Sequence, residues 1–134
     1  MPNGLLVQNL DGTVTDTAAD AGVDWLDRSW GALLLDLDND GDRDLVVVMD
    51  DNILFMANDG AGRFSQRSVF YLKDYAYSLA AADYDNDSNV DIFVTSYGIR
   101  EPSPYHDANN GGANALLQNQ GSIIIHDVTT RAWL

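Results

Sequence analysis

Cysteine is absent from the 134 residues, which removes disulfides, thiol nucleophiles and cysteine-based zinc sites. Glutamate is nearly absent as well: of 21 acidic residues only Glu101 is a glutamate, and the rest are aspartates. Basic residues number 7, so the formal net charge is −14 and the chain is set against nucleic-acid phosphates. The two histidines, His106 and His126, belong to no Ser-His-Asp spacing and no His-Glu-x-x-His motif, and His126 in its strand-like run reads as structural. No apolar run approaches the roughly 20 residues that a membrane helix requires, so no membrane insertion is expected. Residues 1–4 carry neither a basic nor an apolar segment, so no signal peptide is visible in this chain.

What remains is a hydrophobic content of 46%, ordinary for a globular domain and enough to build a core at this length. The aspartate excess has its own meaning. A solvated helical surface favours Glu, whereas Asp disfavours helix interiors and suits caps, turns and metal loops. The acid is therefore placed for geometry.

Internal repetition organises the chain. Residues 30–36 align without gaps on residues 77–83, an offset of 83 − 36 = 47. The same offset carries Asp38 to Asp85, Asn39 to Asn86, Asp40 to Asp87 and Asp44 to Asp91. A second element, an Asn-bounded apolar strip before a Gly-containing turn, occurs at 3–9, 52–58 and 114–119. The Pro-, Asn- and Gly-rich segment 100–113 lengthens the last interval and reads as an inserted loop. Turn signals interrupt Val-, Ile-, Leu- and Tyr-rich segments about every ten residues, which argues for strands. In the first unit they are expected near 32–35, 45–49, 53–57 and 63–69, with a short helical turn in 17–22. Four antiparallel strands per repeat make one propeller blade. The expected fold is all-β, with about two and a half blades: a half blade and connector over 1–29, full blades over 30–76 and 77–134.

The aspartate loops carry the chemistry. In residues 36–44, carboxylates stand at positions 1, 3, 5, 7 and 9 as Asp36, Asp38, Asp40, Asp42 and Asp44. Such spacing curls a loop around a hard cation, with side chains converging from positions 1, 3 and 5, a carbonyl from 7, and position 9 closing the shell. Gly41 at position 6 allows the sharp turn. All-oxygen ligands in a flexible loop favour Ca2+ over zinc, copper or magnesium. The second loop offers Asp83, Asp85, Asp87, Asn89 and Asp91, but Ser88 replaces the glycine, so this site is expected to be no tighter than the first. Position 12, an obligatory Glu in an EF-hand, is Val47 or Val94 here, which rejects the EF-hand.

The run from Trp30-Gly31 through Asp36-Leu37-Asp38-Asn39-Asp40-Gly41-Asp42-Arg43-Asp44-Leu45 resembles the FG-GAP/VCBS-type repeat of integrin α-subunit propellers and bacterial surface proteins. The resemblance implies two calcium sites, on the ten residues just named, and an extracellular, cell-surface or periplasmic setting. Closed propellers use roughly 4–8 blades, so self-association to complete a ring, or adjoining blades of a larger protein, is expected. The function expected is a non-catalytic calcium-binding scaffold for a protein or carbohydrate ligand. Two other classes stay open: a hydrolase or lyase using an Asp–His pair around His106, and a lectin-like propeller. Tyr105, His106 and Asp107 of the inserted loop are the candidate ligand contacts. Trp25, Trp30 and Trp133 read as packing residues between blades.

Overall fold

The computed structural model describes residues 1–25, 27–96 and 112–130. Tyr105, His106, Asp107 and Trp133 lie outside the described residues, as does most of the 100–113 loop. A two-stranded hairpin of β1 (Leu6–Gln8) and β2 (Val14–Asp16) comes first, followed by the single turn α1 (Ala18–Ala21). The next four strands, β3 (Ser29–Leu35), β4 (Asp44–Met49), β5 (Asn52–Asn58) and β6 (Phe64–Tyr71), form an antiparallel meander in chain order. A second meander repeats it with β7 (Ala76–Ala82), β8 (Asp91–Ser96), β9 (Ala115–Asn119) and β10 (Ile125–Asp127). The chain is all-β, a hairpin and two four-stranded sheets forming partial propeller blades, and the strands expected in the first unit fall on β3 to β6.

The central strand β4 shows why this sequence folds so. Its run Leu45-Val46-Val47-Val48-Met49 is apolar at every position because it is buried on both faces. Val46 and Val48 point to one side, where they meet Phe55 and Ile53 of β5, Ile92 and Val94 of β8, and Leu117 of β9. Leu45, Val47 and Met49 point to the other, against Met56 and against Ala18, Ala21 and Val23 of the amino-terminal segment. The first blade is thus sandwiched between the hairpin end and the second blade.

The two blades are copies in detail. In each, the first strand carries a β-bulge where it meets the second, between Ser29 and Gly31 in β3 and between Ala76 and Ser78 in β7. The repeat offset relates the two bulges. Trp30 and Tyr77, the extra residues, point outward and are 55% and 62% exposed. Trp30, which reads from the sequence as an interblade packing residue, is thus more than half exposed, at a cleft it shares with Tyr75, Ala76 and Tyr77.

The core divides the effects of mutation sharply. Phe55→Ala, at a fully buried site, is expected to cost about 3–5 kcal/mol. Leu34→Ala, at a position 46% exposed, is expected to stay within about 0.5 kcal/mol. Urea unfolding of both variants checks this, and equal losses would place the core elsewhere.

Candidate metal centres

Each aspartate loop joins the first two strands of its blade, and its ninth residue anchors it. Asp44, fully buried, accepts hydrogen bonds from the Leu37 N–H at 2.8 Å and the Asn58 N–H at 2.9 Å. Asp91 repeats this with the N–H groups of Tyr84 at 3.0 Å and Asn119 at 2.9 Å. One carboxylate therefore ties the loop start to the end of the third strand. Burial raises the Asp91 pKa above the ordinary aspartate range; the Asn119 and Tyr84 N–H groups oppose that rise, while Asp85 and Asp87 add to it.

Inside the loops the carboxylates hold the backbone in a tight coil. Asp36 accepts from the Gly41 N–H at 3.0 Å, and Asp83 from the Ser88 N–H at 3.0 Å. Asp40 and Asp87 each accept from the N–H two residues on, at 2.9 and 2.8 Å. The coil needs left-handed backbone at two places. Position 4 is Asn in both loops, at φ 62° and 61°, a residue that tolerates this region. Position 6 is Gly41 at φ 94° in the first loop but Ser88 at φ 74° in the second, where a Cβ carries strain.

Oxygens of Asp36, Asp38 and Asp40 lie within 4.8 Å of one another, as do those of Asp83, Asp85 and Asp91. In the first group Asp36 Oδ1 is buried and has no hydrogen-bond partner among the described residues. Burial, followed by the Asp44, Asp40 and Asp36 charges, raises the Asp38 pKa despite the Asp40 N–H. The second group is better satisfied: Asp83 Oδ1 accepts from the Asp87 N–H at 3.1 Å, and the Gln118 amide donates to Asp85 at 2.5 Å. The position matching Gln118 in the first blade is Ala57, which has no donor to offer.

The side chains at position 7 have further partners outside their own loops. Asp42 packs on the Gly60 turn, where a Cβ would stand 2.7 Å from its Oδ2. Asn89 accepts from the Asn39 side chain at 3.1 Å and so links the two loops. A deeper link is Asn119, fully buried, whose amide donates to Leu37 O of the first loop at 2.7 Å and to Val90 O at 3.3 Å. The sequence showed the Asn-bounded strip, but not that its last Asn crosses between blades.

Residues 36–94, from the first loop through β8, match the family model of the FG-GAP-like repeat. The chain carries this repeat. Cartilage acidic protein 1 of Xenopus tropicalis and that of Mus musculus are each 30% identical to it over 109 residues, 76% of this chain and 17% of the relative. The chain thus matches a small part of these relatives' length. The repeat supports a non-catalytic repeat or interaction module, and no helix among the described residues is long and apolar enough to cross a membrane.

The Asn119 crossing sets an expected outcome. Asn119→Ala strands buried carbonyls and should cost about 1–3 kcal/mol. Asn58→Ala, whose amide bonds Arg43 O in exposed surroundings, should cost less. Denaturant midpoints of the two variants, ranked the other way, would remove Asn119 as the interblade tie.

Proposed function

We propose that the chain is a calcium-stapled, non-catalytic interaction module of an extracellular, cell-surface or periplasmic protein. The observation that carries this reading is the buried, unpartnered Asp36 Oδ1 beside two further carboxylates, an acceptor that a hard cation satisfies. Asp36, Asp38 and Asp40, with Asp44, would hold one Ca2+; Asp83, Asp85, Asp87 and Asp91 would hold the other. Asp42 and Asn89, at position 7, would contribute backbone carbonyls. Bound calcium supplies charge compensation that lets each coil of like charges stay closed.

Calcium then stabilises by mass action, by about 2.7 kcal/mol at 100-fold excess over the Kd of a site. Calorimetric titration should show the tighter event lost in Asp36→Ala and kept in Asp83→Ala, because the first cluster lacks the competing Gln118 donor. A chelator-controlled titration with neither heat nor a change in melting temperature would overturn the reading. The pH dependence has a definite sign. Asp38 and Asp91 have raised pKa values in the fold, so without cation their ionisation costs stability as pH climbs through those values. Calcium removes that cost at neutral pH and competes with protons at acid pH. The calcium-induced rise in melting temperature should therefore shrink as pH falls through the carboxylate range.

Assembly follows from the two ends of the blade stack. Leu37, fully buried under the second blade, corresponds to Tyr84, which is 44% exposed on the far side of that blade. The opposite end exposes Leu6, Val7, Leu10 and Val14 on the hairpin. We take a second copy, docked head to tail, as the cover for these faces. Light scattering in calcium should give a mass above one 14.7 kDa chain, and a single-chain mass at all concentrations would leave adjoining blades of a longer protein as the cover.

A further inference from the structure

The repeat places two bulged aromatic residues in one cleft, and neither the metal loops nor the core uses them. The cleft has a volume of about 350 Å³ and is lined by Arg28, Trp30, Asp50, Tyr75, Ala76 and Tyr77. It lies at the end of the strands opposite the aspartate loops: β3 pairs Ser29 with Met49 at this end and Leu35 with Asp44 at the other. At ~3.4 Å per residue the separation is roughly 20 Å.

Three features make this a built surface. The bulge that exposes Trp30 recurs at Tyr77 one repeat later, so the blades present two aromatic rings side by side. The Trp30 indole N–H donates to Asp50 Oδ1 at 2.6 Å, which fixes the ring although it is more than half exposed. A ring fixed in advance loses little entropy when a ligand stacks on it. Arg28 and Asp50 also line a larger neighbouring cleft of about 870 Å³, with Trp25, Gln66 and Tyr71 on its wall, so the surface continues past a single small ligand.

From these features we propose that the cleft binds a neutral oligosaccharide, its apolar sugar faces stacked on Trp30 and Tyr77 and its hydroxyls meeting Arg28 and Asp50. The charge pattern selects this class. An anionic glycan meets Asp50 and a net charge of −14, and a cationic ligand meets Arg28 inside the cleft. Sugar hydroxyls both donate and accept, so they use a guanidinium and a carboxylate together. This proposal deepens the interaction-module reading by naming a ligand class. It does not depend on calcium, whose loops lie at the far end.

The test titrates the full chain with maltotriose, cellotriose, chitotriose and mannotriose, following tryptophan fluorescence and saturation-transfer NMR, in calcium and again in chelator. A sialylated trisaccharide and a tri-arginine peptide serve as charged probes. At least one neutral trisaccharide should bind. Trp30→Ala should weaken it about ten-fold or more, and Trp30→Phe should retain most of the affinity. Tyr77→Ala should weaken it as well, with circular dichroism confirming that all three variants are folded at the temperature of the titration. Binding of no neutral sugar, or binding that survives both alanine substitutions, overturns the proposal, as does preference for either charged probe. Sugar binding without any calcium response would sink the metal reading and leave this one standing; the converse result would do the opposite.

Discussion

A carboxylate buried at the ninth position of each aspartate loop sets the geometry of everything around it. Asp44 and Asp91 are both removed from water, and an ionised carboxylate in that position is costly unless its oxygens are hydrogen-bonded. Each is bonded, to one N–H at the loop start and one at the end of the third strand. A side chain that spans three segments in this way fixes where the loop begins, where the second strand begins and where the third strand stops. Hydrogen bonds to a charged acceptor contribute about 1.5–3 kcal/mol each, enough to hold a blade edge in register. The remaining loop carboxylates gather in a coil whose two ends this anchor joins.

Repetition makes the blades similar, and small departures make them unequal. Gln118 stands where the first blade has Ala57, and it satisfies an oxygen of Asp85. Ser88 stands where the first loop has Gly41, in the same left-handed backbone region. Leu37 is covered by the next blade and its carbonyl accepts from the Asn119 amide, whereas Tyr84 is 44% exposed on a face that no blade among the described residues covers. The first departure leaves the carboxylates of the second loop better satisfied, and the second adds strain to its coil. The third leaves that loop with less packing to hold it. The two loops thus follow the same path but are held unequally.

Much of this was legible because the code is periodic. The 47-residue offset aligned the loops, the alternation of turns placed β3 to β6, and Gly22 after an alanine-rich stretch allowed the single turn α1. Side-chain direction was the illegible part. The spacing of Asp42 and Asp44 puts both on the odd positions of one loop, yet Asp42 turns to the Gly60 turn while Asp44 goes inward. Trp30 reads as a packing residue between blades because it is large and apolar, yet it is more than half exposed beside a bulge, and a bulge is a property of two strands together. Asn119 looked like a strip terminus because its partner, Leu37 O, is 82 residues away. Hints existed: Asn39 and Asn86 at the same loop position mark left-handed backbone, and the paired aromatics Trp30 and Tyr77 mark a recurrent feature.

The two bulges also show how one short strand can hold a blade together and present an aromatic side chain at once. β3 begins at an exposed aromatic residue and ends at the loop that Asp44 anchors, and β7 does the same with Tyr77 and Asp91. Beyond the bulge the ladder is regular, so the anchored end defines the register of the strand up to the bulged residue. The Trp30 ring itself is held locally, by its indole N–H on Asp50. A change in the coil that shifted register by one residue would turn every side chain of the strand over. The core, which buries Val46 and Val48 against Ile92 and Val94, forbids that shift. Loop composition can therefore vary between blades without moving the aromatic surface at the other end.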